Sequence, residues 1–254
     1  MSGKTVEYYL PKHVYLCVVE GIVIFLDLHN DTYVSPEPDK MKAVLSVLSI
    51  YPDPPPTSEV NGIEQNAESV GEKCNRDDIT ETIVEDLISK KILTIDALAG
   101  KEITPVTIKI PPLDLSGYEF GKSAKIKAGH IIKFFMATAL TYLKLRFTST
   151  EKIVNSVKGR KRKHQFTPSA KPDEIRELVE IFKILRPLFF TAKDHCLFDS
   201  LALIEFMARN GLYPTWVFGV KIGPFGAHCW VQDDNFIYNE SLQNAHHFTP
   251  IMTV

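Results

Sequence analysis

The chain has 254 residues, of which 44% are hydrophobic and 24% are charged, a composition typical of globular proteins. The net charge of −2 gives no support for nucleic-acid binding, and no run of about eighteen apolar residues predicts a membrane-spanning helix. Because the N-terminus lacks the apolar core of a signal peptide and the four cysteines form no CxxC pair, we expect a cytoplasmic protein with free thiols.

The first part of the sequence alternates β-type runs with turn residues. HVYLCVV and IVIFLDL predict two strands joined at Glu20–Gly21, and Thr32–Val34 predicts a third short strand. Apolar residues at helical spacing predict helices within residues 38–50 and 79–94, separated by a Pro-, Ser- and Asn-rich loop. Strands followed by helices predict a small winged-helix-like α+β module over residues 1–98.

Residues 124–254 predict a second α+β domain, joined to the first by a proline-bearing extended linker, residues 99–123. Its predicted helices and strands are, in order, residues 130–147, 172–190 and 196–210, then residues 215–222, 227–232 and 235–241. The basic run KGRKRKHQ, residues 158–165, predicts a solvated loop, and we interpret the tail that carries His246 and His247 as loose.

The stretch KDHCLFDSLALIEF places a cysteine at the start of the third helix. Asp194 is a good N-cap residue, so Cys196 should lie in the first turn, where unpaired N–H groups and the positive end of the helix dipole lower the pKa of a thiol. The same N–H groups can stabilise the oxyanion of an acyl-transfer intermediate. Cys196 is therefore a candidate nucleophile, although a cysteine that opens an apolar helix also fits plain core packing.

His228 lies in the predicted strand AHCWVQ, and its neighbour across the sheet depends on the hairpin that follows. A three-residue turn at Asp233–Asn235 places Glu240 opposite His228, whereas a two-residue turn brings Asn239 to that face. Either side chain can orient an imidazole. A cysteine at a helix start, then strands with a histidine and an acid, follows the chain order of papain-like and transglutaminase-like thiol enzymes.

Two longer stretches resemble known families. CLFDSLALIEFMARNGLYPTWVFGVKIGPFGAHCWVQ resembles the core of the lasso-peptide maturation proteases, the B proteins, which have a transglutaminase-like fold and a Cys-His-Asp triad. YYLPKHVYLCVVEGIVIFLDLHNDTYVSP resembles the RiPP recognition element. The resemblance implies a leader peptidase with Cys196 as nucleophile, His228 as general base and acid, and Glu240 as the triad acid where the family usually has Asp.

The resemblance also implies partners. The leader of a lasso precursor peptide would add as a strand beside Asp31, Thr32, Tyr33 and Val34, with its side chains against the helix of Leu87 and Ile88. The freed core peptide would pass to a separate lasso cyclase, and neither nucleic acid nor a membrane is an expected partner.

No cofactor is evident in the sequence. The family resemblance raises ATP dependence, but the only phosphate-loop-like stretch, SGYEFGKS at residues 116–123, is one residue short of the motif, and we identify no nucleotide site. A metal site built from His195, Cys196, His228 and Cys229 is disfavoured because adjacent residues of a strand point to opposite faces, so no metal is expected. By the same alternation, Cys229 should pack away from His228.

Two other functions remain open from the sequence. The chain could be a non-catalytic peptide-binding scaffold, or an acyltransferase of the transglutaminase type that uses an amine instead of water. The presence of a cysteine, a histidine and an acid favours an enzyme, but these residues do not separate hydrolysis from aminolysis.

Overall fold

The computed structural model describes residues 7–50, 76–115, 124–164, 171–189 and 196–254. The chain divides into two compact units. They consist of Met1–Asp27 with Thr32–Pro105, and of Leu28–Asp31 with Val106–Val254.

The first unit is a three-stranded antiparallel sheet with two helices, as predicted. Its elements are β1 (Leu10–Pro11), β2 (Val14–Val19), β3 (Ile22–Asp27), β4 (Thr32–Val34), α1 (Met41–Val47), α2 (Arg76–Ser89) and β5 (Gly100–Lys101). The sheet order is β2-β3-β4, and β1 pairs separately with β5. Glu20 and Gly21 both have positive φ, +49° and +81°, which is the geometry of a two-residue type I′ turn between β2 and β3.

One apolar core holds this unit together. Leu16 and Phe25 of the sheet pack in it with Val44 of α1 and Ile83 of α2, and all four are buried. Each such side chain contributes about 1.5–3 kcal/mol on burial, which a lone three-stranded sheet could not obtain.

The second unit combines helices with a five-stranded sheet, so the predicted α+β class is confirmed. Its elements are β6 (Leu113–Asp114), α3 (Ala128–Phe147), α4 (Thr150–Lys163), α5 (Pro172–Leu185), α6 (Cys196–Arg209), β7 (Thr215–Lys221), β8 (Gly226–Gln232), β9 (Phe236–Ile237), α7 (Leu242–Ala245) and β10 (Thr249–Thr253). The sheet order is β10-β7-β8-β9-β6, with only β6 and β9 parallel. The predicted linker thus contributes β5 and β6. No helix in the described ranges is long and apolar enough to span a membrane.

Helix α6 lies at the centre of the second unit. Every residue from Asp199 to Met207 is buried, because the helix packs against α3 and α5 and against strand β8 of the sheet. A sequence that is apolar nearly all round the helix is the pattern expected of such a position. The helix therefore fixes its first residue, Cys196, beside β8.

Residues 158–163 of the basic run are helical, so the prediction of a loop there is wrong. In α4, Ile153, Val154 and Val157 are buried at helical spacing. Arg160, one turn further on, donates to both carboxylate oxygens of the fully buried Glu205, at 2.8 and 3.1 Å. Lys144 and Arg209 bond the same carboxylate at 2.8 and 3.1 Å, so Arg160 belongs to a buried charge network that favours the helix despite the mutual repulsion of the basic residues.

The C-terminal tail is ordered, and its interpretation as loose is also wrong. Ser241 caps α7 by accepting the N–H of Asn244 at 3.1 Å. Strand β10 then pairs antiparallel with β7, and Ile251 and Met252 are fully buried. The tail therefore forms one edge of the sheet that carries His228.

Candidate active site

Cys196 is the first residue of α6 and is half-buried, so it lies in the first helical turn as predicted. The preceding residues, Asp194 and His195, lie outside the described residues. One turn into the helix, the Ser200 hydroxyl donates to the carbonyl oxygen of Cys229 in β8 at 3.0 Å. This bond ties the start of α6 to the strand that carries His228.

The structure brings Cys196, His228 and Glu240 together. His228 Nε2 lies 2.6 Å from Glu240 Oε2, and the Ser241 N–H holds the other carboxylate oxygen at 2.7 Å. The His228 side chain also interacts with the Cys196 thiol and lowers its pKa. Since Glu240 engages Nε2, Nδ1 is the ring nitrogen left for the thiol. The side chains of His228 and Glu240 are 19% and 18% exposed, so the imidazole is partly open to a ligand.

The hairpin that carries this contact does not have either predicted register. Gln232 pairs with Ile237, one residue beyond the Phe236 that a three-residue turn would place opposite it. Asp233 Oδ1 accepts the N–H groups of both Asn235 and Phe236 at 2.7 Å, and these bonds accompany the shifted register. Extended straight on, this register would put Ser241 opposite His228. Glu240 reaches the imidazole because the chain bends at residues 238–240 and leaves the strand.

Hydrogen bonds set the charge state of the site. The Cys229 thiol and then His228 stabilise the Cys196 thiolate and lower the pKa of Cys196 to about 4, against the effect of its burial. Burial lowers the pKa of His228, but its bonds to Cys196 and Glu240 raise that pKa to about 9. Cys196 is therefore a thiolate and His228 an imidazolium at neutral pH.

The ion pair of Cys196 and His228 should persist over a wide pH range. Alkylation of Cys196 by iodoacetamide should be fast down to about pH 4, where the thiolate takes up a proton, and the ion pair should be lost above about pH 9, where His228 loses its proton. The extent of alkylation at each cysteine is measured by peptide mass mapping. Cys17 is the internal comparison, because burial raises its pKa to about 12. A Cys196 profile centred near pH 8.5, the value of an ordinary thiol, would contradict the ion pair.

Cys229 is buried, as expected of a packing residue. Burial raises the pKa of Cys229, so it keeps its proton, and an interaction with its thiol lowers the pKa of Cys196. Alternation along β8 separates Cys229 from His228 but says nothing about its distance from the helix that begins beside the strand.

Removing the Cys229 thiol should raise the pKa of Cys196, because the thiolate loses a group that stabilises it. We expect Cys229→Ala to move the midpoint of Cys196 alkylation upward by about one pH unit, the size of a hydrogen bond to a charged group. Cys229→Ser keeps a donor and should move it less. Equal profiles for the wild type and Cys229→Ala would leave Cys229 a packing residue.

Aromatic rings pack around the imidazole. The Phe248 and Trp230 ring centroids lie 5.1 and 6.3 Å from that of His228, and Trp230 is fully buried. Gly219, directly across from His228 on β7, makes this packing possible, because a Cβ there would lie 2.9 Å from Phe248 and 3.0 Å from Trp230. Sequence reasoning missed Phe248 and Gly219, although a glycine inside an apolar strand is a signal of close approach.

Of the predicted leader-binding residues, all but Asp31 lie in the first unit, and Asp31 belongs to the short segment grouped with the second. Asp31 has a positive φ of +54° in the turn before β4, which ends the sheet with Thr32, Tyr33 and Val34. No strand of the described residues pairs with the outer edge of β4. Val34 and Ile88 are partly buried against the core of the unit. Leu87 is only 5% exposed, so it belongs to the core and does not offer its side chain to a ligand.

Within the described part of the chain, no group of three or more His, Cys, Asp or Glu side chains could hold a metal ion. The phosphate-loop-like stretch, residues 116–123, lies outside the described residues.

Residues 137–253 match the family model of the transglutaminase-like superfamily. No curated protein and no solved structure matched the chain significantly. The matched segment runs from α3 into β10 and contains Cys196, His228 and Glu240. The second half of the chain is therefore a transglutaminase-like α+β domain.

Proposed function

We propose that the protein is a cytoplasmic cysteine peptidase that removes the leader from a lasso precursor peptide. The observation that carries thiol catalysis is the 2.6 Å contact between His228 and Glu240, with the half-buried Cys196 thiol on the same imidazole. The substrate class is supported by the likeness of residues 196–232 to lasso maturation proteases and of the first strands to the RiPP recognition element.

The reaction follows from the charge state of the three residues. The Cys196 thiolate attacks the scissile carbonyl carbon, and N–H groups at the start of α6 stabilise the oxyanion. The His228 imidazolium gives its proton to the leaving amine, which frees the core peptide and leaves the leader as a thioester. His228 then takes a proton from water, whose oxygen attacks the thioester, and Cys196 departs as the thiolate, which restores the ion pair and releases the leader as a carboxylic acid. Glu240 keeps the imidazole oriented and stabilises its charged form.

Leader capture would fall to the first unit. In a type I′ hairpin the residues flanking the turn, Val19 and Ile22, exchange backbone hydrogen bonds, so the pairing alternates from there. By that alternation, Thr32 and Val34 direct their N–H groups toward β3, and Tyr33 directs its N–H and C=O outward. A bound leader strand would use the Tyr33 backbone, and the tether would raise the local concentration of the scissile bond to roughly millimolar.

The direct test is incubation of the full chain with the lasso precursor encoded beside its gene, read by mass spectrometry. We expect two products whose masses sum to that of the precursor plus one water. Added glycine methyl ester separates the alternatives, because an acyltransferase would attach it to the leader carbonyl. Binding of the precursor without any cleavage would indicate the scaffold function instead.

Tyr33→Pro tests the capture site. It removes the backbone N–H that an added leader strand would need at this position, and we expect the leader to bind about tenfold more weakly. Tyr33→Val is the matched control, since it deletes the ring but keeps the N–H. Affinity is measured by anisotropy of a labelled leader with both changes made in the Cys196→Ala chain, which prevents cleavage. If Tyr33→Pro binds as tightly as Tyr33→Val, the leader does not add at this edge.

A further inference from the structure

The side chain of Asn239 makes three hydrogen bonds beside the candidate active site. Its Oδ1 accepts the N–H of Val231 at 2.9 Å. Its Nδ2 donates to Asp199 Oδ2 at 2.7 Å and to Ser200 Oγ at 3.1 Å. Asp199 and Ser200 are buried in the first turns of α6, and Val231 is buried in β8. One amide thus joins the helix of the candidate nucleophile to the strand of its histidine.

The bond to Val231 replaces part of the sheet. The Tyr238 N–H donates to Val231 O at 2.8 Å, which makes these two residues a hydrogen-bonded pair of the hairpin. In a regular ladder the Val231 N–H would donate back to the Tyr238 carbonyl. Here it donates to the Asn239 side chain, so the ladder ends with its last buried donor satisfied. The chain is then free to bend at residues 238–240, and that bend turns Glu240 toward His228.

From these contacts we infer that Asn239 is a positioning residue, which acts on the site by holding the bend that aims Glu240 at His228. Asn239 does not itself replace Glu240 as the partner of the imidazole, since its Nδ2 is bonded to Asp199 and Ser200 and its Oδ1 to Val231, whereas Glu240 contacts His228. The inference rests on the proposed thiol chemistry, because the alignment matters only if His228 must stabilise a thiolate.

Two sets of charged groups lie next to the bend. The Asn239 amide donates to Asp199, which Arg186 Nη1 also contacts at 3.3 Å. The other set is the candidate site itself, Cys196, His228 and Glu240. Asn239→Ala is the suitable change because it removes the bonds to α6 and β8 without adding or removing a charge.

The readout is the pH dependence of Cys196 alkylation by iodoacetamide in the full chain, which needs no peptide substrate. We expect Asn239→Ala to move the midpoint upward by about one pH unit, and Glu240→Gln to move it further. In the Glu240→Gln background, Asn239→Ala should have no additional effect, because a residue that acts through Glu240 cannot act once the carboxylate is gone. A purely structural role would give the same added shift in both backgrounds.

Asn235→Ala is the matched control, since Asn235 is exposed in the same hairpin loop and should leave the profile unchanged. An unchanged profile for Asn239→Ala, or shifts that add to those of Glu240→Gln, would overturn the positioning role and leave the thiol chemistry intact. If wild-type Cys196 shows no alkylation below pH 7, the thiol chemistry and this inference fail together.

Discussion

Cys196→Ala should abolish leader removal, with a fall in the cleavage rate of about four orders of magnitude or more. The variant lacks the only atom that the proposed mechanism uses to form the thioester, and water cannot replace it at the same barrier. Cleavage of the precursor is followed by mass spectrometry with excess enzyme over several hours. Trp216 and Trp230, both buried in the second unit, report by fluorescence that the domain is folded.

Cys17→Ala provides the matched control, because Cys17 is a buried free thiol in the core of the first unit. It should keep the wild-type cleavage rate once the variant is folded. Leader binding should survive in Cys196→Ala, since capture is assigned to the first unit. Cleavage by Cys196→Ala at the wild-type rate would remove the thiol mechanism altogether.

The elements that positioned the site were accessible from the sequence, because each depends on a local pattern. The apolar run after Cys196 fixed a buried helix with the cysteine in its first turn, and the alternation around His228 fixed a strand. Neither the helix nor the strand required knowledge of long-range contacts. The packing of α6 against β8 then brings Cys196 and His228 together.

The features that were missed depend on contacts that no local pattern encodes. Helix α4 is stabilised in part by Arg160 against Glu205, which lies 45 residues away. The hairpin register depends on the Asp233 side chain, which bonds two N–H groups within the loop. The Cys229 thiol lowers the pKa of Cys196 because α6 begins beside β8. In each case a contact within the folded protein overrides the structure that the local sequence predicts.

Glu240 itself was placed beside His228 by an incorrect register. Counting across the predicted ladder named it as a directly opposed residue, whereas it reaches the imidazole from a bend beyond the ladder. Asn239, the other candidate of the sequence argument, maintains that bend. The two residues that the sequence could not separate therefore have different contacts. Glu240 bonds to the imidazole of His228, whereas Asn239 bonds to α6 and β8.

Glu240→Gln should reduce turnover by about two to four orders of magnitude, because an orienting carboxylate contributes several kcal/mol to the transition state. Without its charge the pKa of His228 falls, the imidazolium is lost at lower pH, and the thiolate of Cys196 loses its partner. Cleavage of the precursor is measured from pH 5 to well above pH 9, and the upper limb of the profile should move from about pH 9 to lower pH.

Glu240→Asp and Asn239→Ala complete this series. Glu240→Asp keeps the charge of the triad acid usual in lasso maturation proteases but shortens the side chain by one methylene, so it cannot span the same gap from an unmoved bend. We therefore expect an intermediate rate, and a smaller loss for Asn239→Ala than for Glu240→Gln. A larger loss for Asn239→Ala than for Glu240→Gln would transfer the orienting role to the amide and make the site a Cys-His-Asn arrangement.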